Sequence, residues 1–198
     1  GDLAGPTPDH DAWTQAPDRV AALGQTSVTT PKIRLHGDYH LGQVLLADGE
    51  FYILDFEGEP TRSLDERRAR DHALRDVAGM LRSLDYAILA AWKEHSDDAP
   101  LGPWVEVLTR WCETLFLQAY LDTTDGADFV VPSDHREHLL WTYLLEKVLY
   151  AVRYELNHRP SWVWLPLHGL RRLLDDAGLN VAPLVLRPSE PTDAASPA

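Results

Sequence analysis

The sequence predicts an α+β fold that is mostly α, in which a small β hairpin carries functional loops on a helical body. Two observations predict this class: short apolar runs lie between Lys32 and Phe56, and longer segments with helical spacing follow Pro60. A chain of 198 residues with 44% hydrophobic content is long enough for one domain with its own core. We therefore expect one compact unit over residues 31–187.

The β part of this unit is predicted from three short apolar runs. They extend from Ile33 to Leu35, from Val44 to Ala47 and from Phe51 to Leu54, and their lengths are typical of strands. The pair Asp48-Gly49 separates the last two runs and is a strong turn signal. The sequence therefore predicts that these two runs form a hairpin.

The helical part is predicted from apolar spacing and from the residues that interrupt it. Ser63 and Glu66 form a capping-box pattern at its start. We expect the tryptophans in these segments to pack in the core, among them Trp104 and Trp111. The predicted helices run from about Leu64 to His95, Pro103 to Asp122, Ser133 to Asn157, and Pro166 to Ala177.

The two ends of the sequence differ in composition from this unit. Residues 1–30 are rich in Pro, Gly, Thr and Asp and are expected to be a lead-in or linker. Residues 188–198 consist largely of Pro, Ser and Ala, a composition that buries too little apolar surface to become ordered. We expect a disordered tail there.

Composition and charge exclude several classes of function. A formal net charge of -13 argues against a nucleic-acid-binding protein, which needs clustered Lys and Arg, although it would suit a cationic ligand such as an aminosugar. No apolar run approaches the roughly 20 residues that a membrane span needs. The single cysteine, Cys112, rules out a disulfide within the chain and fits a reducing cytoplasmic location.

The most informative feature is the spacing of polar residues around the predicted hairpin. Asp38 follows the first apolar run, Gln43 comes five positions later, and Asp55 follows the last strand-like residues. Protein kinases use an Asp and an amide residue at this spacing, the Asp to accept the proton of the attacking hydroxyl and the amide oxygen to hold Mg²⁺. Gln43 and Asp55 both offer the hard oxygen ligands that Mg²⁺ prefers. The pattern indicates phosphoryl transfer.

Two other classes share parts of this pattern. A Gly-Asp pair alone is a common turn. His36, Asp38 and His40 could form the divalent metal site of a metallohydrolase, although no second His/Asp cluster with ligand spacing accompanies them. A non-catalytic pseudokinase lobe would not need Asp38, Gln43 and Asp55 together, and both alternatives are therefore less favoured.

The loop from His36 to Gln43 resembles that of the aminoglycoside-phosphotransferase and choline-kinase-like group, which usually has the pattern His-Gly-Asp-x-His-x-x-Asn. Gln43 departs from the final Asn. Together with the run Asp-Phe-Glu-Gly-Glu-Pro that begins at Asp55, this glutamine resembles the maltokinases, and the segment Leu74 to Tyr86 resembles a helix of that family. The resemblance covers roughly Ile33 to Leu170 and implies a protein-kinase-like carboxy-terminal lobe.

The resemblance also implies roles for the loop residues. Asp38 would be the catalytic base on a sugar hydroxyl. Gln43 and Asp55 would bind Mg²⁺ or Mn²⁺, with ATP as the co-substrate. For His40, a loop-stabilising hydrogen bond and a ligand role both remain open. Supporting positions beside these groups are expected at His36, His40, Glu57 and Glu59.

A second set of residues lies in the third predicted helix. Lys147, Tyr150 and Tyr154 share one helix face with Tyr143. From spacing alone they form an amphipathic core stripe, with Lys147 extending its amine to solvent. The resemblance implies instead a sugar-binding face, in which the rings cover the C–H side of the sugar and Lys147 donates to its hydroxyls. Ala151 departs from the Glu expected in that family.

The resemblance implies ATP-dependent phosphorylation of maltose at C1 to maltose 1-phosphate. Such a reaction would feed glycogen synthesis from trehalose-derived maltose, in a complex with or a fusion to trehalose synthase. The alternative is a kinase for glucosamine or another aminosugar, which the acidic composition and Ala151 leave open. Residues 1–30 hold no glycine-rich nucleotide loop, so the nucleotide would be gripped by an amino-terminal lobe outside this chain, and the chain alone would transfer phosphate poorly.

Overall fold

The computed structural model describes residues 29–95 and 102–178. Apart from its last two residues, the predicted lead-in at 1–30 lies outside the described residues, and so does the predicted tail at 188–198. The expected α+β class, mostly helical with a small hairpin, is confirmed. In chain order the elements are the strands β1 (Val44–Ala47) and β2 (Glu50–Ile53) and the helices α1 (Leu64–Arg68), α2 (Leu74–His95), α3 (Gly102–Thr123), α4 (Ser133–His158) and α5 (Trp164–Gly178).

The predicted hairpin is present. Strands β1 and β2 pair antiparallel, in a register that runs from Val44 opposite Ile53 to Ala47 opposite Glu50. Asp48 and Gly49 both have positive φ, 53° and 81°, which is the left-handed conformation that a tight hairpin turn requires. The turn chemistry in the sequence therefore determines this element directly.

The strand expected from Ile33 to Leu35 does not form. Ile33 makes only an isolated antiparallel bridge with Asp71, through backbone hydrogen bonds of 3.0 and 3.1 Å. Its partner is a short irregular segment between α1 and α2, which offers no continuous edge along which a strand could extend. The sheet therefore has two strands in the described part of the chain.

The first predicted helix is interrupted. The capping box of Ser63 and Glu66 starts α1 as expected, but Ala69 is extended and a second helix begins at Leu74. The backbone of Asp71 is engaged by Ile33, and its carboxylate accepts a hydrogen bond from the Tyr143 hydroxyl at 2.9 Å. A contact distant in sequence therefore breaks the helix. Asp71 is therefore engaged by Ile33, Tyr143 and Arg75 rather than lying on a solvated helix face.

Helix α2 is the centre of the molecule and packs against α3, α4 and α5. Full burial of an aliphatic side chain contributes about 1.5–3 kcal/mol relative to its exposure, so these contacts dominate the stability of the helical body. A second apolar cluster joins α4 to α5 through Leu145, Val148, Leu170 and Leu174. The main core consists of Leu74, Val77, Ala78, Leu81, Leu117, Val131, Leu140 and Tyr143.

The tryptophans divide into two groups. Trp141 packs against the α4–α5 cluster and donates its indole N–H to the Leu173 carbonyl at 3.2 Å. Trp104 and Trp111 are 68% and 61% exposed, so the expectation that they pack in the core is wrong. They lie on the face of α3 opposite the buried residues Thr109 and Leu117.

No helix in the described ranges is long and apolar enough to cross a membrane.

Candidate active site

His36 connects the loop before β1 to the end of β2. Its Nε2 lies 2.7 Å from the Leu54 carbonyl, and its Nδ1 lies 3.3 Å from the backbone N of Asp38. A carbonyl accepts and a backbone N–H donates, so the ring carries its proton on Nε2. The ring is buried and packs against Phe56, with centroids 4.9 Å apart. His36 therefore fixes the backbone at Asp38 relative to the strand that precedes Asp55.

Asp76, in the first turn of α2, anchors the same loop from the other side. Its carboxylate accepts hydrogen bonds from the backbone N–H groups of His36 at 2.7 Å and Gly37 at 3.0 Å. Burial raises the pKa of this carboxyl above its usual value, although both hydrogen bonds act in the opposite direction. Sequence reasoning assigned no individual role to Asp76, because its partners His36 and Gly37 lie 40 and 39 residues earlier.

Two glycines allow the loop to lie close to its neighbours. Gly37 has φ +85°, and a Cβ there would stand 3.0 Å from the Cα of Gly58. A Cβ on Gly79, inside α2, would stand 2.6 Å from the backbone oxygen of Tyr39. The backbone on either side of Asp38 is thus held against both the α2 surface and the loop that follows Asp55.

His40 caps the short 3₁₀ turn Leu41–Gln43. Its Nδ1 accepts a hydrogen bond from the backbone N–H of Gly42 at 3.0 Å, and its Nε2 lies 3.8 Å from a carboxylate oxygen of Asp38. The backbone N–H of Leu41 donates to the Ser83 hydroxyl of α2 at 3.0 Å. His40 therefore makes the loop-stabilising contact, and its second ring nitrogen is near Asp38.

Gln43 and Asp55 are brought together across the base of the hairpin. The Gln43 amide donates to the Asp55 carboxylate at 3.2 Å, and Asp55 has φ +61°, an uncommon conformation for a residue with a side chain. The described residues contain no group of three His, Cys, Asp or Glu side chains suited to a metal ion. Mg²⁺, however, commonly takes one or two protein oxygens and completes its shell with water and phosphate. If the side-chain amide of Gln43 rotates so that its oxygen takes the place of its nitrogen, that oxygen and the Asp55 carboxylate fit such an ion.

The metallohydrolase interpretation does not fit this geometry. Both ring nitrogens of His36 are engaged by protein backbone, at Leu54 and Asp38. Nδ1 of His40 is engaged by Gly42. His36, Asp38 and His40 therefore do not converge as a set of three ligands.

A cleft of about 260 Å³ lies beside the loop. Its floor is Glu59, which is buried and accepts hydrogen bonds from the Thr61 hydroxyl at 3.0 Å and from Arg62 Nε at 3.1 Å. Lys147 Nζ is 4.0 Å from the same carboxylate. Burial alone would raise the Glu59 pKa, but Lys147 and the hydrogen bonds outweigh it and hold the pKa below its usual value. The residues lining the cleft are Glu59, Arg62, Glu146, Lys147, Leu149, Tyr150 and Arg153.

The predicted sugar face is only partly assembled at this cleft. Lys147 and Tyr150 line it, whereas Tyr154 stacks beside Tyr150, with ring centroids 6.5 Å apart, and is outside the lining. Tyr143 is buried and bonded to Asp71. Lys147 is 17% exposed and does not extend into solvent.

Tyr150 links the cleft to the loop. Burial raises the pKa of its hydroxyl, and the negative charges of Glu59 and Asp38 raise it further. The Tyr150 side chain lines the cleft together with Glu59 and Lys147. Glu57, by contrast, has a largely exposed side chain 4.0 Å from Arg67. Sequence reasoning missed Arg62, Glu146 and Arg153, because no spacing rule joins α1 and its preceding turn to α4.

Comparison with known proteins adds to this geometry. No family model matches the chain. A glucosamine kinase of Streptacidiphilus jiangxiensis is 36% identical over 169 residues, which are 83% of this chain and 37% of that protein. A glucosamine kinase of Mycolicibacterium smegmatis is 33% identical over 159 residues, 79% of this chain and 38% of that protein. The chain thus spans less than half the length of these curated relatives.

Solved structures give the same result. A glucosamine kinase in complex with glucosamine, ADP and inorganic phosphate superposes with a TM-score of 0.72 at 32% identity, covering 83% of this chain and 41% of that one. A further crystal form of glucosamine kinase also gives 0.72, with 83% and 40% coverage. The chain resembles glucosamine kinases.

These similarities correct the family expected from the motifs. The relatives and solved structures are named glucosamine kinases, so the assignment to the maltokinases of the aminoglycoside-phosphotransferase and choline-kinase-like group is wrong. The similarities also do not support maltose as the substrate, an association with trehalose synthase or a link to glycogen synthesis. The departure at Ala151 from the expected maltokinase pattern was a signal of this difference.

Proposed function

We propose that the protein containing this chain transfers the γ-phosphoryl group of ATP to glucosamine. The observation that carries the proposal is the close approach of the loop to the cleft: next to Asp38, a Cβ on Gly37 would stand 3.9 Å from the backbone N of Glu59, which lines the cleft. A sugar in the cleft would then lie within reach of the Asp38 carboxylate. The similarity to a glucosamine kinase solved with its sugar and ADP supports the choice of substrate class.

Asp38 is the proposed catalytic base. Its carboxylate accepts the proton of a sugar hydroxyl as that oxygen forms a bond to the γ-phosphorus and the bond from phosphorus to the leaving ADP oxygen breaks. His36 and Asp76 hold the backbone around Asp38 from two sides, which keeps the carboxylate in place without rearrangement during the reaction. Asp38 thus needs little movement to act.

Gln43 and Asp55 are the proposed residues for a divalent cation. When bound, Mg²⁺ would neutralise charge on the phosphates of the nucleotide. The left-handed backbone at Asp55 and its contact with Gln43 bring both oxygen-bearing groups to one point at the hairpin base. These residues bind and orient, whereas Asp38 handles the proton.

The nucleotide itself is proposed to lie against the hairpin, held partly by regions of the protein that this chain does not span. Leu46 and Phe51 are 61% and 73% exposed on this hairpin. An adenine ring needs an apolar surface of this kind together with a few polar contacts. The residues 31–187 would then form the sugar-binding and catalytic part of the enzyme.

Glu146 is the proposed contact for the sugar ammonium group. It lies in the cleft lining with its side chain 44% exposed, whereas Glu59 is buried and already accepts two hydrogen bonds. Arg62 and Arg75 both donate to the same oxygen of Glu146, Oε1. The second carboxylate oxygen is therefore the group best suited to receive an ammonium N–H.

The test separates binding from turnover. We expect saturation-transfer NMR on the chain to detect glucosamine binding, and the affinity should fall at least tenfold in Glu146→Gln. An ADP-release assay with MgATP on the intact protein should show faster turnover with glucosamine than with glucose. Asp38→Asn should lower turnover by roughly 10²–10⁴-fold, the range for a lost general base, while leaving binding intact. Asp125→Asn, an exposed position in the turn between α3 and α4, is the matched control and should change neither. Equal activity of Asp38→Asn and the unmodified protein would contradict the proposal.

A further inference from the structure

The cleft beside the loop carries one cation that its carboxylates do not neutralise. Arg62 and Lys147 both pair with Glu59 at the floor of the cleft, at 3.1 and 4.0 Å. Arg153 also lines the cleft, its side chain is exposed, and no carboxylate in the described part of the chain pairs with it. In a protein with a formal net charge of -13, this arginine offers a local contact for an anionic group of a ligand.

Arg153 and Glu146 stand at opposite ends of the cleft. With Tyr150 they occupy positions i, i+4 and i+7 of α4, so all three side chains share one face of the helix. Seven residues separate the two charged positions by about 10.5 Å along the helix axis. Tyr150 lies between them and is 40% exposed. The cleft therefore presents a carboxylate at one end, a guanidinium at the other and an aromatic ring between.

The proposed function produces a ligand with the matching pair of charges. Glucosamine carries an ammonium group, and a phosphate monoester adds a charge of about −1.5 to −2 at pH 7. Guanidinium groups bind phosphate oxygens through two parallel, charge-assisted hydrogen bonds. With the ammonium on Glu146, a phosphate across the sugar ring from the amine would reach Arg153. A phosphate on the carbon next to the amine would stay at the Glu146 end.

We propose that Arg153 binds the phosphate of the phosphorylated aminosugar and thereby retains the product in the cleft. The inference rests on the proposed function and adds a residue that distinguishes product from substrate. Unphosphorylated glucosamine has no anionic group for Arg153. Its ammonium on Glu146 would lie about 10 Å away, where repulsion between like charges in water changes affinity by less than about twofold. Accumulating product would compete with glucosamine for the cleft.

The test is a calorimetric titration of the intact protein without nucleotide. The probes are glucosamine, glucosamine 6-phosphate and glucosamine 1-phosphate. Arg153→Gln should weaken binding of the 6-phosphate by roughly tenfold or more, while the affinities for the other two change by less than about twofold. Arg153→Lys keeps the charge but loses the planar fork, so it should give an intermediate affinity for the 6-phosphate. Arg171→Gln, an exposed arginine of α5 outside the cleft lining, is the control and should change none of the three.

Initial rates of ADP release provide a second readout. In Arg153→Gln the inhibition constant of added glucosamine 6-phosphate should rise by roughly tenfold or more, while KM for glucosamine stays the same. Two results overturn the inference. One is equal affinity of Arg153→Gln and the unmodified protein for the 6-phosphate. The other is a parallel loss of all three ligands, which would give Arg153 a structural role in the cleft. Absence of turnover with glucosamine would count against the proposed function instead, and the titrations would still decide the role of Arg153.

Discussion

The carboxylate of Asp76 determines how firmly Asp38 is held. It accepts two backbone N–H groups from the segment immediately before Asp38. Hydrogen bonds to a charged acceptor contribute about 1.5–3 kcal/mol each, more than neutral ones. Because these bonds act on the backbone, the role that the proposed function gives Asp76 is to position Asp38.

Asp76→Asn should therefore separate catalysis from binding. The amide retains one oxygen acceptor but turns an N–H toward a backbone N–H, so the loop shifts and kcat falls by at least tenfold, while KM for glucosamine changes little. Asp85→Asn is the control, because Asp85 is also buried on α2 but bonds to Arg82, away from the loop. Steady-state kinetics at a temperature where both variants are folded checks the prediction, and equal kcat values for the two variants would contradict it.

At the scale of elements, local signals determine more of the fold than of the site. The turn at Asp48 and Gly49 and the capping box at Ser63 follow from residues within four positions, and both form as predicted. The break before Leu74 does not follow from local sequence, because Ile33 causes it from 38 positions away. Likewise, the cleft joins Arg62 to Glu146 across 84 positions, a contact that no helical or strand period indicates.

The predicted site residues divide in the same way. Gln43 and Asp55 meet because the hairpin register brings them together, and that register is predictable from the turn. Tyr143, Lys147 and Tyr150 share a helix, but the position of α2 decides which of them is buried. The identity of the sugar is not predictable from the motif, because the residues that indicate phosphoryl transfer do not distinguish one sugar from another.

Helix α2 contributes to the site at Gly79, where the absence of a side chain lets the backbone of Tyr39 approach closely. Gly79→Ala should strengthen the helix intrinsically by about 0.5–1 kcal/mol, yet its Cβ would stand 2.6 Å from the Tyr39 carbonyl oxygen. The loop must move, so we expect kcat to fall by roughly tenfold or more with the helix intact. Gly169→Ala, whose Cβ would meet Arg82, should lower the melting temperature without lowering kcat of the folded protein. Unchanged kcat in Gly79→Ala would contradict the contact.

The whole molecule is held together by a buried ionic cluster as well as by its apolar core. Arg82 and Asp85 of α2, Glu113 of α3 and Arg172 of α5 meet between three helices. Arg82 Nε, one oxygen of Asp85 and one nitrogen of Arg172 are buried without a hydrogen bond. Such a cluster contributes less to stability than its charges suggest, because each ion has lost its water.

This cluster makes stability depend on pH through Glu113. Burial, which outweighs the attraction of Arg172, raises the pKa of Glu113 from 4.5 to about 7. Between these pH values the Glu113 carboxyl keeps its proton in the folded protein and releases it in the unfolded chain. The free energy of unfolding therefore falls as pH rises from about 4.5 to 7, and above that range this contribution stays level. At about 1.4 kcal/mol per pKa unit, the loss amounts to at most roughly 3.5 kcal/mol. The charged groups that face Glu113 are Arg82, Asp85 and Arg172, and Glu106 in turn faces Arg172.

Glu113→Gln should abolish this part of the pH dependence, because the amide stays neutral at every pH. Urea unfolding at pH 5 and at pH 8 measures the effect as the difference in unfolding free energy between the two proteins. The unmodified chain should lose stability relative to Glu113→Gln on going from pH 5 to pH 8. Glu137→Gln, an exposed glutamate on α4, should follow the unmodified chain at both values. Parallel behaviour of Glu113→Gln and the unmodified chain would show that Glu113 is already ionised at pH 5, and that Arg172 overcomes its burial.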